Sequence, residues 1–244
     1  MAPRIVINGS AGRMGQALIA AAEEAGATIA GAIDVGDDLA AALPACDVVV
    51  DFSSHSATRS VIDAAIAAGK ALVIGTTGHP ESERADLRAL ASRVPTVWAG
   101  NFSVGVNLLF HLVAQAARTL PADFEAEIVE MHHRFKKDAP SGTAARLAEI
   151  VLEERSLGPD AVAHGRVGIP GARPRGQVGM HALRGGDVVG DHTVIFAAPG
   201  ERVELVHKAS DRAIFARGAL HAAQWIVDRP AGLYDMQDVL GLKG

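Results

Sequence analysis

The feature that most constrains the fold is a glycine-rich loop directly after the first apolar strand. Arg4–Asn8 has the pattern of that strand, and Gly-Ser-Ala-Gly-Arg-Met-Gly follows it at residues 9–15. A helix is predicted over residues 13–25 and a second strand over Thr28–Ile33, with Asp34 at its end. Glycines at this spacing permit a tight turn, close approach to a pyrophosphate, and packing of helix on strand. The order predicts a β-α-β unit that binds a dinucleotide; the alternative is a plain strand-to-helix turn.

The alternation of strand and helix continues beyond this unit. Further strands are predicted at residues 47–51, 71–74 and 96–98, and open α/β sheets bind ligands beyond the carboxyl ends of their strands. The loops that follow the last two strands are therefore expected to face the dinucleotide. The candidate cofactor-binding residues are Gly9, Ser10, Ala11, Gly12, Arg13, Met14, Asp34, Gly75, Thr76, Thr77, Ala99, Gly100, Asn101 and Phe102.

The choice between cofactors depends on Asp34 and Arg13. A carboxylate at the end of the second strand accepts hydrogen bonds from ribose hydroxyls and repels a 2′-phosphate, so Asp34 favours NADH. Arg13, in the glycine loop, offers a cation to the 2′-phosphate of NADPH. We therefore expect both NADH and NADPH to work, with NADH preferred or equal.

A change of pattern at Val104 marks a second domain. A helix leads into it, and apolar strands return at residues 178–183, 193–198 and 203–207, with Pro199-Gly200 as the last hairpin turn. Residues 156–177 are rich in Gly, Pro and Arg and are predicted to form a long loop. A helix over residues 214–227, followed by a short tail, is expected to pack back on the first domain.

These patterns predict an α/β fold with two domains. The first is a Rossmann-type dinucleotide-binding domain of residues 1–103 and 213–244. The second is an α+β domain of residues 104–212 with a mixed, largely antiparallel sheet.

Residues 130–146 hold the densest group of reactive side chains. The segment is interpreted as a loop between a short strand at residues 126–129 and a helix, and it carries His132, His133 and Lys136. Ser141-Gly142-Thr143 has the chemistry of a helix start, where N–H groups and the helix dipole attract anions. Together these groups are suited to holding a carboxylate and supplying protons at neutral pH.

Less specific readings of the same residues stay open. A His-His pair is often an ordinary surface feature, and no Cys-x-x-Cys or His-x-x-x-His spacing supports a metal site, so no metal is expected. His181, His192 and His207 lie in strand patterns and are interpreted as structural. Arg173 and Arg175 are interpreted as loop charges.

Composition excludes several classes of function. The net charge of −5 gives no electrostatic reason to bind nucleic acid. The one cysteine, Cys46, cannot form a disulfide within the chain and is expected in the core. No apolar run approaches the length of a membrane span, and the first residues lack a signal-peptide pattern, so we expect a cytoplasmic protein without a membrane partner.

At this point the motifs resemble one known family. The pattern E-x-H-H-x-x-K-x-D-A-P-S-G-T-A at residues 130–144, with G-x-x-G-R-M-G at residues 9–15, is similar to the bacterial dihydrodipicolinate reductases, now called 4-hydroxy-tetrahydrodipicolinate reductases. Further similar segments cover essentially the whole chain: Gly75-Thr76-Thr77-Gly78, Asn101 to Asn107, Leu183 to Gly190, and His207-Lys208-Ala209-Ser210. The chain is shorter than many members between Asp34 and Asp47.

The resemblance implies a reaction and roles for particular residues. It implies that 4-hydroxy-tetrahydrodipicolinate loses water and is reduced with NAD(P)H to tetrahydrodipicolinate, in lysine and diaminopimelate biosynthesis. It also implies His132 as proton donor and acceptor and Lys136 as proton donor. His133, Gly142 and Thr143 would bind the dicarboxylate substrate, with Ser141 beside them. The second domain would bind substrate and assemble a homotetramer through its sheet.

Two other functions remain as alternatives. One is a different NAD(P)-dependent dehydrogenase of the same two-domain layout. The other is a non-catalytic protein that senses NAD(H). A sensor has no need of His132, Lys136 and an anion-binding Ser-Gly-Thr step together, and no basic DNA-binding element is present in the sequence.

Overall fold

The structure is a computed structural model that describes residues 2–243. It divides into two compact units: one contains the residues up to Val104 together with those from Arg212 onward, and the other is Gly105–Asp211. Within residues 2–243, no helix has both the length and the apolar character that a bilayer crossing requires.

The regular elements follow the predicted alternation. The strands are β1 Arg4–Asn8, β2 Thr28–Ile33, β3 Val48–Asp51, β4 Ala71–Ile74, β5 Pro95–Trp98, β6 Glu125–His132, β7 Val162–His164, β8 Val178–Arg184, β9 Gly190–Ala198, β10 Glu201–Ala209 and β11 Gly232–Tyr234. The helices are α1 Arg13–Glu24, α2 Leu39–Ala42, α3 Thr58–Ala68, α4 Glu81–Ala91, α5 Val104–Thr119, α6 Gly142–Glu154, α7 Ala213–Ile226 and α8 Met236–Val239, with 3-10 turns at Leu43–Ala45 and Pro159–Ala161.

The first unit is built on a six-stranded sheet. Its order is β11-β5-β4-β3-β1-β2, and every pairing is parallel. Alternate residues of a strand point to opposite faces, so Ile5 and Ile7 pack with α1 and α7 whereas Val6 packs with α3 and α4. Both faces are covered, which explains why these short strands are apolar throughout. The chain passes from β1 to β2 on one side and then to β3 on the other, creating a crevice for a ligand.

The end of the chain completes this first unit. Helix α7 packs against its core, as predicted, and a Cβ on Gly218 would lie only 1.8 Å from the carbonyl oxygen of Phe102. The predicted tail is instead structured: β11 pairs in parallel with β5, and Asp235 caps α8 in a reciprocal pair with Asp238. Cys46 is buried in the core, as expected.

The second unit is built on a five-stranded mixed sheet with the order β10-β9-β6-β8-β7. Helices α5 and α6 pack on one face through residues such as Val113, Leu147 and Phe196. The pairs β9–β10 and β6–β9 are antiparallel, while β6–β8 and β7–β8 are parallel. The sheet is thus mixed, as predicted, and its antiparallel ladders pair more residues than its parallel ones. Strand β7 lies inside the segment predicted as a long loop. It was not predicted, because its three residues are too few to show a periodicity.

Candidate active site

Three glycines of the first loop do different work. Gly9 has φ +84°, and a Cβ there would lie 2.8 Å from the carbonyl oxygen of Phe52. At Gly15 a Cβ would lie 2.3 Å from the carbonyl oxygen of Gly9, so this glycine lets α1 pack onto the loop. A Cβ on Gly12 would meet only the Gly9 carbonyl oxygen within 4 Å, at 3.2 Å. Gly12 is also the N-cap of α1 and offers no side chain to cap it. The N–H of Gly12 donates to the Gly9 carbonyl oxygen at 3.2 Å, so the backbone N–H groups that an anion can approach are those of the first turn of α1, from Arg13 onward.

Asp34 lies against this loop. Its carboxylate accepts hydrogen bonds from the N–H groups of Ala11, at 2.7 Å, and Val35, at 2.8 Å. The Val35 bond and then the Ala11 bond hold the pKa of Asp34 below its usual value, so the carboxylate is charged at neutral pH. The N–H groups of Gly9 and Ser10 also bond to the carbonyl oxygen of Ile33, which joins the loop to the end of β2. Backbone N–H groups thus hold the Asp34 carboxylate beside the glycine loop.

Asp51, at the end of β3, connects three of the loops that surround this crevice. It is fully buried and accepts hydrogen bonds from Asn8 Nδ2 at 2.7 Å, Ser53 Oγ at 2.6 Å and Thr76 Oγ1 at 2.8 Å. These donors follow or end β1, β3 and β4. From the sequence, Asp51 is only the last residue of a predicted strand. Its hydrogen-bond partners lie far apart along the chain, so the sequence does not indicate them.

The remaining predicted cofactor residues differ in accessibility. Thr77 and Gly100 are exposed, and a Cβ on Gly100 would meet nothing within 4 Å. A Cβ on Gly75 would lie 2.2 Å from the Phe52 ring, so this glycine makes room for an aromatic side chain. Phe102 is buried in the core, and its ring centroid lies 5.6 Å from that of Phe52. Phe102 is therefore a core residue, and its carbonyl oxygen is packed against α7 at Gly218. The other predicted residues lie in the same loops: Met14 and Ala99 are half-buried, Arg13 is exposed, and Asn101 Oδ1 accepts from the Ser103 N–H at 2.8 Å.

In the second unit, the reactive segment begins inside a strand. Strand β6 continues to His132, so the prediction that residues 130–133 belong to a loop was wrong for residues 130–132. Burial alternates along β6, and Ala126, Ile128, Glu130 and His132 all point to the covered face. The apolar alternation therefore continues through two charged or polar residues, and this extension is the signal that could have placed them.

Glu130 is the most highly connected carboxylate of this group. It is fully buried. Its Oε2 lies 2.5 Å from His132 Nδ1 and accepts from Arg184 Nη1 at 2.9 Å. Its Oε1 accepts from Arg184 Nη2 at 2.8 Å and from the Ser141 N–H at 3.1 Å. Burial raises the pKa of Glu130, but the bonds from Arg184, His132 and Ser141 outweigh it and leave the pKa below its usual value. Glu130 is thus an anion held by a guanidinium, an imidazole and a helix-start N–H.

The electrostatics of His132 and Lys136 differ. Burial lowers the pKa of His132, the bond from Glu130 raises it, and Lys136 and Arg184 lower it again, so the net shift is downward. Since an ordinary histidine titrates near pH 6.5, His132 is neutral at pH 7. Lys136 stands in the loop after β6, and its Nζ pairs with Asp138 Oδ2 at 2.9 Å. One group can accept a proton while the other can donate one.

The start of α6 completes the site. Ser141 caps the helix by accepting from the Ala144 N–H at 3.2 Å, and its Oγ lies 3.1 Å from His192 Nε2. Gly142 is exposed, and a Cβ on it would meet nothing within 4 Å. Neither strain nor internal packing demands glycine there, so the space above it is available to a ligand. Thr143 and His133 are half-buried, Thr143 in the first turn of α6 and His133 directly after β6.

His192 and Arg184 were not assigned to the site from the sequence. The His192 ring lies edge-on to His132 with centroids 5.2 Å apart, and burial, then the nearby His132, lower the pKa of His192 to about 4.

Arg173 is also more than a loop charge, because it pairs with Glu127 and bonds to the carbonyl oxygens of Ala126 and Gln177. No group of three or more His, Cys, Asp or Glu able to hold a metal ion occurs within residues 2–243.

Both halves of the chain match one known family. Residues 3–102 match the family model "Dihydrodipicolinate reductase, N-terminus", and residues 105–240 match "Dihydrodipicolinate reductase, C-terminus". The chain belongs to the dihydrodipicolinate reductase family. This membership confirms the resemblance drawn from the motifs, the two-part α/β fold and the predicted activity: an NAD(P)H-dependent oxidoreductase of lysine and diaminopimelate biosynthesis.

Individual relatives match over almost their whole length. The chain is 52% identical over 241 residues to the 4-hydroxy-tetrahydrodipicolinate reductase of Akkermansia muciniphila, with 98% of each chain covered. It is 48% identical over 266 residues to that of Anaeromyxobacter dehalogenans, covering 99% of this chain and 98% of the relative. The dipicolinate-bound dihydrodipicolinate reductase from Paenisporosarcina sp. TG-14 has the same fold, with a TM-score of 0.76, 23% identity, and 98% and 99% of the two chains covered.

Proposed function

We propose that this chain reduces 4-hydroxy-tetrahydrodipicolinate to tetrahydrodipicolinate, with loss of water, using NADH or NADPH. The observation that carries the proposal is the Glu130–His132 pair beside the start of α6, in a chain that matches the family over both halves. A proton acceptor, a cation and an anion-binding helix start are the groups that this chemistry requires.

The first unit is proposed to hold the cofactor, which when bound supplies a hydride to the substrate ring. Backbone N–H groups beside Gly12 would bind the pyrophosphate, and Asp34 would accept from the ribose hydroxyls. Arg13 is exposed in the same loop and offers a cation to a 2′-phosphate. We therefore propose that both cofactors are used, with NADH preferred or equal.

The second unit is proposed to bind the substrate as a dicarboxylate. One carboxylate would lie over Gly142 at the start of α6, contacted by Thr143 and by the side chain of His133. The space that a Cβ on Gly142 would fill supports this position. The Paenisporosarcina protein, which shares the fold, binds dipicolinate, and a planar dicarboxylate of that kind suits the same chemistry here.

Proton transfer is proposed for two groups of different charge. His132, neutral at rest, would take and return a proton at Nε2, since Nδ1 is engaged by Glu130. Lys136 would donate a proton as an ammonium, and Asp138, whose side chain is 59% exposed, would keep it within reach of solvent for reprotonation. Loss of a hydroxyl as water and protonation of the reduced ring both require such donors.

We also propose that the enzyme is a cytoplasmic homotetramer assembled through the second unit. The sheet face opposite α5 and α6 carries the partly exposed Val129 and Ile195, and Val206 is 49% exposed. In the segment after β7, Val167 and Ile169 are almost fully exposed, and apolar surface of this kind is typical of interfaces. Sedimentation equilibrium tests the proposal: a mass of four chains is expected, and a monomer at micromolar concentration would exclude it.

The activity is tested by a coupled assay. Pyruvate and aspartate semialdehyde are condensed in situ, and oxidation of NADH or NADPH is followed on addition of the enzyme. Turnover of about 1 s⁻¹ or faster, within the usual range for enzymes, is expected with at least one cofactor. Oxidation that does not depend on the condensation product would indicate a different dehydrogenase. NADH binding without turnover of any added substrate would indicate a sensor.

A further inference from the structure

Glu130 joins three elements of the second unit through one buried carboxylate. It stands on β6, meets Arg184 at the end of β8, accepts the N–H of Ser141 at the start of α6, and contacts the ring of His132. Arg184 extends the network by donating to the carbonyl oxygen of Asp138 at 2.7 Å. The carboxylate therefore connects the strand that carries His132 with the loop that carries the proton-donating lysine.

We propose that Glu130, clamped by Arg184, is a positioning residue that fixes His132 in one tautomer, with the proton on Nδ1 and Nε2 left to exchange protons with the substrate. The inference rests on the proposed function. Its geometric basis is the 2.5 Å contact of Nδ1 with the carboxylate and the two-bond clamp of Arg184 on that carboxylate. Nε2 points towards Gly190, where a Cβ would come within 3.0 Å of it, so glycine leaves room at the reactive nitrogen.

The charges around His132 explain why a carboxylate is needed. Lys136 approaches from the following loop, Arg184 from β8, and His192 from β9. The carboxylate of Asp138 is paired with Lys136, and Glu130 is the anion that contacts the ring. Without Glu130, an imidazolium formed at His132 would be strongly disfavoured. Glu130 offsets this repulsion and lets the ring take a proton during turnover and release it afterwards. A bidentate guanidinium keeps the carboxylate from rotating away.

Two substitutions separate this role from a purely structural one. Glu130→Gln removes the anion, so the pKa of His132 should fall further, and Arg184→Gln removes a cation, so the same pKa should rise. The acid limb of the kcat/KM profile, where His132 becomes protonated, should move to lower pH in the first variant and to higher pH in the second. Glu130→Gln should also lower kcat by ~10²-fold or more, with KM changed by about threefold or less. Shifts in one direction, or no shift in either folded variant, would overturn the proposal.

The matched control lies on the same strand. Glu127 also holds two arginines and a histidine, namely Arg166, Arg173 and His181, but on the opposite face of the sheet. Glu127→Gln should leave the position of the acid limb unchanged. Thermal unfolding and NADH affinity are measured for every variant to confirm folding. If Glu130→Gln does not fold, Arg184→Gln alone tests the proposal: its acid limb should move to higher pH, and a move to lower pH or no move would overturn the proposal.

A spectroscopic measurement makes the inference independent of the activity. In ¹⁵N-histidine-labelled enzyme, His132 should show a protonated Nδ1 and an unprotonated Nε2 at pH 7.5, with the resonance assigned by its loss in His132→Asn. Glu130→Gln should convert this pattern to a mixture of tautomers. If the pattern is found but the reductase assay fails, only the proposed function is wrong. If the enzyme is active but His132 carries its proton on Nε2, the positioning role is wrong.

Discussion

Each unit of this protein buries a carboxyl group at the carboxyl end of a central strand, and the two are held in opposite ways. Asp51, in the first unit, accepts from the neutral amide of Asn8 and the hydroxyls of Ser53 and Thr76. Glu130, in the second unit, accepts from a guanidinium, a helix-start N–H and an imidazole. Both groups are fully buried, so burial alone does not explain the difference.

The two carboxylates differ in whether a neutral amide could replace them. Hydroxyl groups can rotate and accept a hydrogen bond, so an amide in place of Asp51 would still find partners. The guanidinium and backbone N–H around Glu130 can only donate, so an amide NH₂ there would find an acceptor only at His132 Nδ1, and only if that ring changed its tautomer. We infer that Asp51 fastens loops that must stay in place around a cofactor, whereas Glu130 supplies a charge that a reaction uses.

The largest expected effect concerns the groups that Glu130 serves. His132→Ala and Lys136→Ala should each lower kcat by ~10²-fold or more, because each removes a general acid or base. Steady-state kinetics at saturating substrate and cofactor measure the loss. Lys137→Ala is the control: its exposed side chain neighbours Lys136 in sequence but has no assigned role, and it should retain wild-type kcat within about twofold. Wild-type turnover in His132→Ala or Lys136→Ala would contradict the catalytic role assigned to that residue.

A large effect on stability and cofactor binding is expected at Asp51. Asp51→Ala leaves the buried donors of Asn8 and Thr76 and the hydroxyl of the exposed Ser53 without this acceptor, and it should lower the free energy of unfolding by about 3 kcal/mol, with NADH affinity reduced about tenfold or more. Asp51→Asn should stay within about threefold of wild type in NADH affinity, because the hydroxyls of Ser53 and Thr76 can re-pair. Urea unfolding and calorimetric titration with NADH provide both values. An Asn variant as damaged as the Ala variant would show that Asp51 acts through its charge after all.

A smaller effect is expected where the second unit meets the substrate. Gly142→Val should raise KM for the dicarboxylate about tenfold, since a β-branched side chain fills the open space above the helix start, and this corresponds to ~1.4 kcal/mol. NADH affinity should hardly change. Gly158→Val is a matched control, because a Cβ there also meets nothing within 4 Å. Loss of NADH binding with substrate binding intact would mean that the two sites had been exchanged.

The smallest effect concerns cofactor preference in the first unit. The charges of Asp34 and Arg13 oppose each other for NADPH, and solvent weakens both, so NADH should be preferred by about tenfold or less. Asp34→Ala should narrow or reverse this preference, and Arg13→Ala should widen it. Values of kcat/KM for both cofactors across the three proteins test the effect. A strong wild-type preference for NADPH would contradict the role given to Asp34.

Local patterns were sufficient for most of the fold. The bounds of β1, β2 and β4 follow the sequence prediction residue for residue, because each is a short apolar run ended by turn residues. Very short elements were missed: β7, β11 and α8 span three or four residues and depend on neighbours for their stability.

The candidate site was only partly predictable, for a related reason. His132, Lys136 and Ser141 lie in one segment, and their grouping is visible along the chain. Arg184 reaches Glu130 because β6 and β8 pair in parallel with His132 opposite Arg184, and register between distant strands leaves no local trace. The same holds for Asp51, whose donors come from three separate strands and loops. Side-chain partnerships across a sheet therefore required the structure.

The division of labour between the two buried carboxyl groups is the central claim, and NADH affinity in their variants tests it most directly. NADH is titrated calorimetrically into the wild type, Asp51→Ala and Glu130→Gln, each first shown to be folded. We expect Asp51→Ala to bind NADH about tenfold more weakly or worse. Glu130→Gln should bind NADH within about twofold of the wild type, although its kcat should be ~10²-fold lower. Equal losses of NADH affinity in the two variants, or a loss confined to Glu130→Gln, would contradict the central claim.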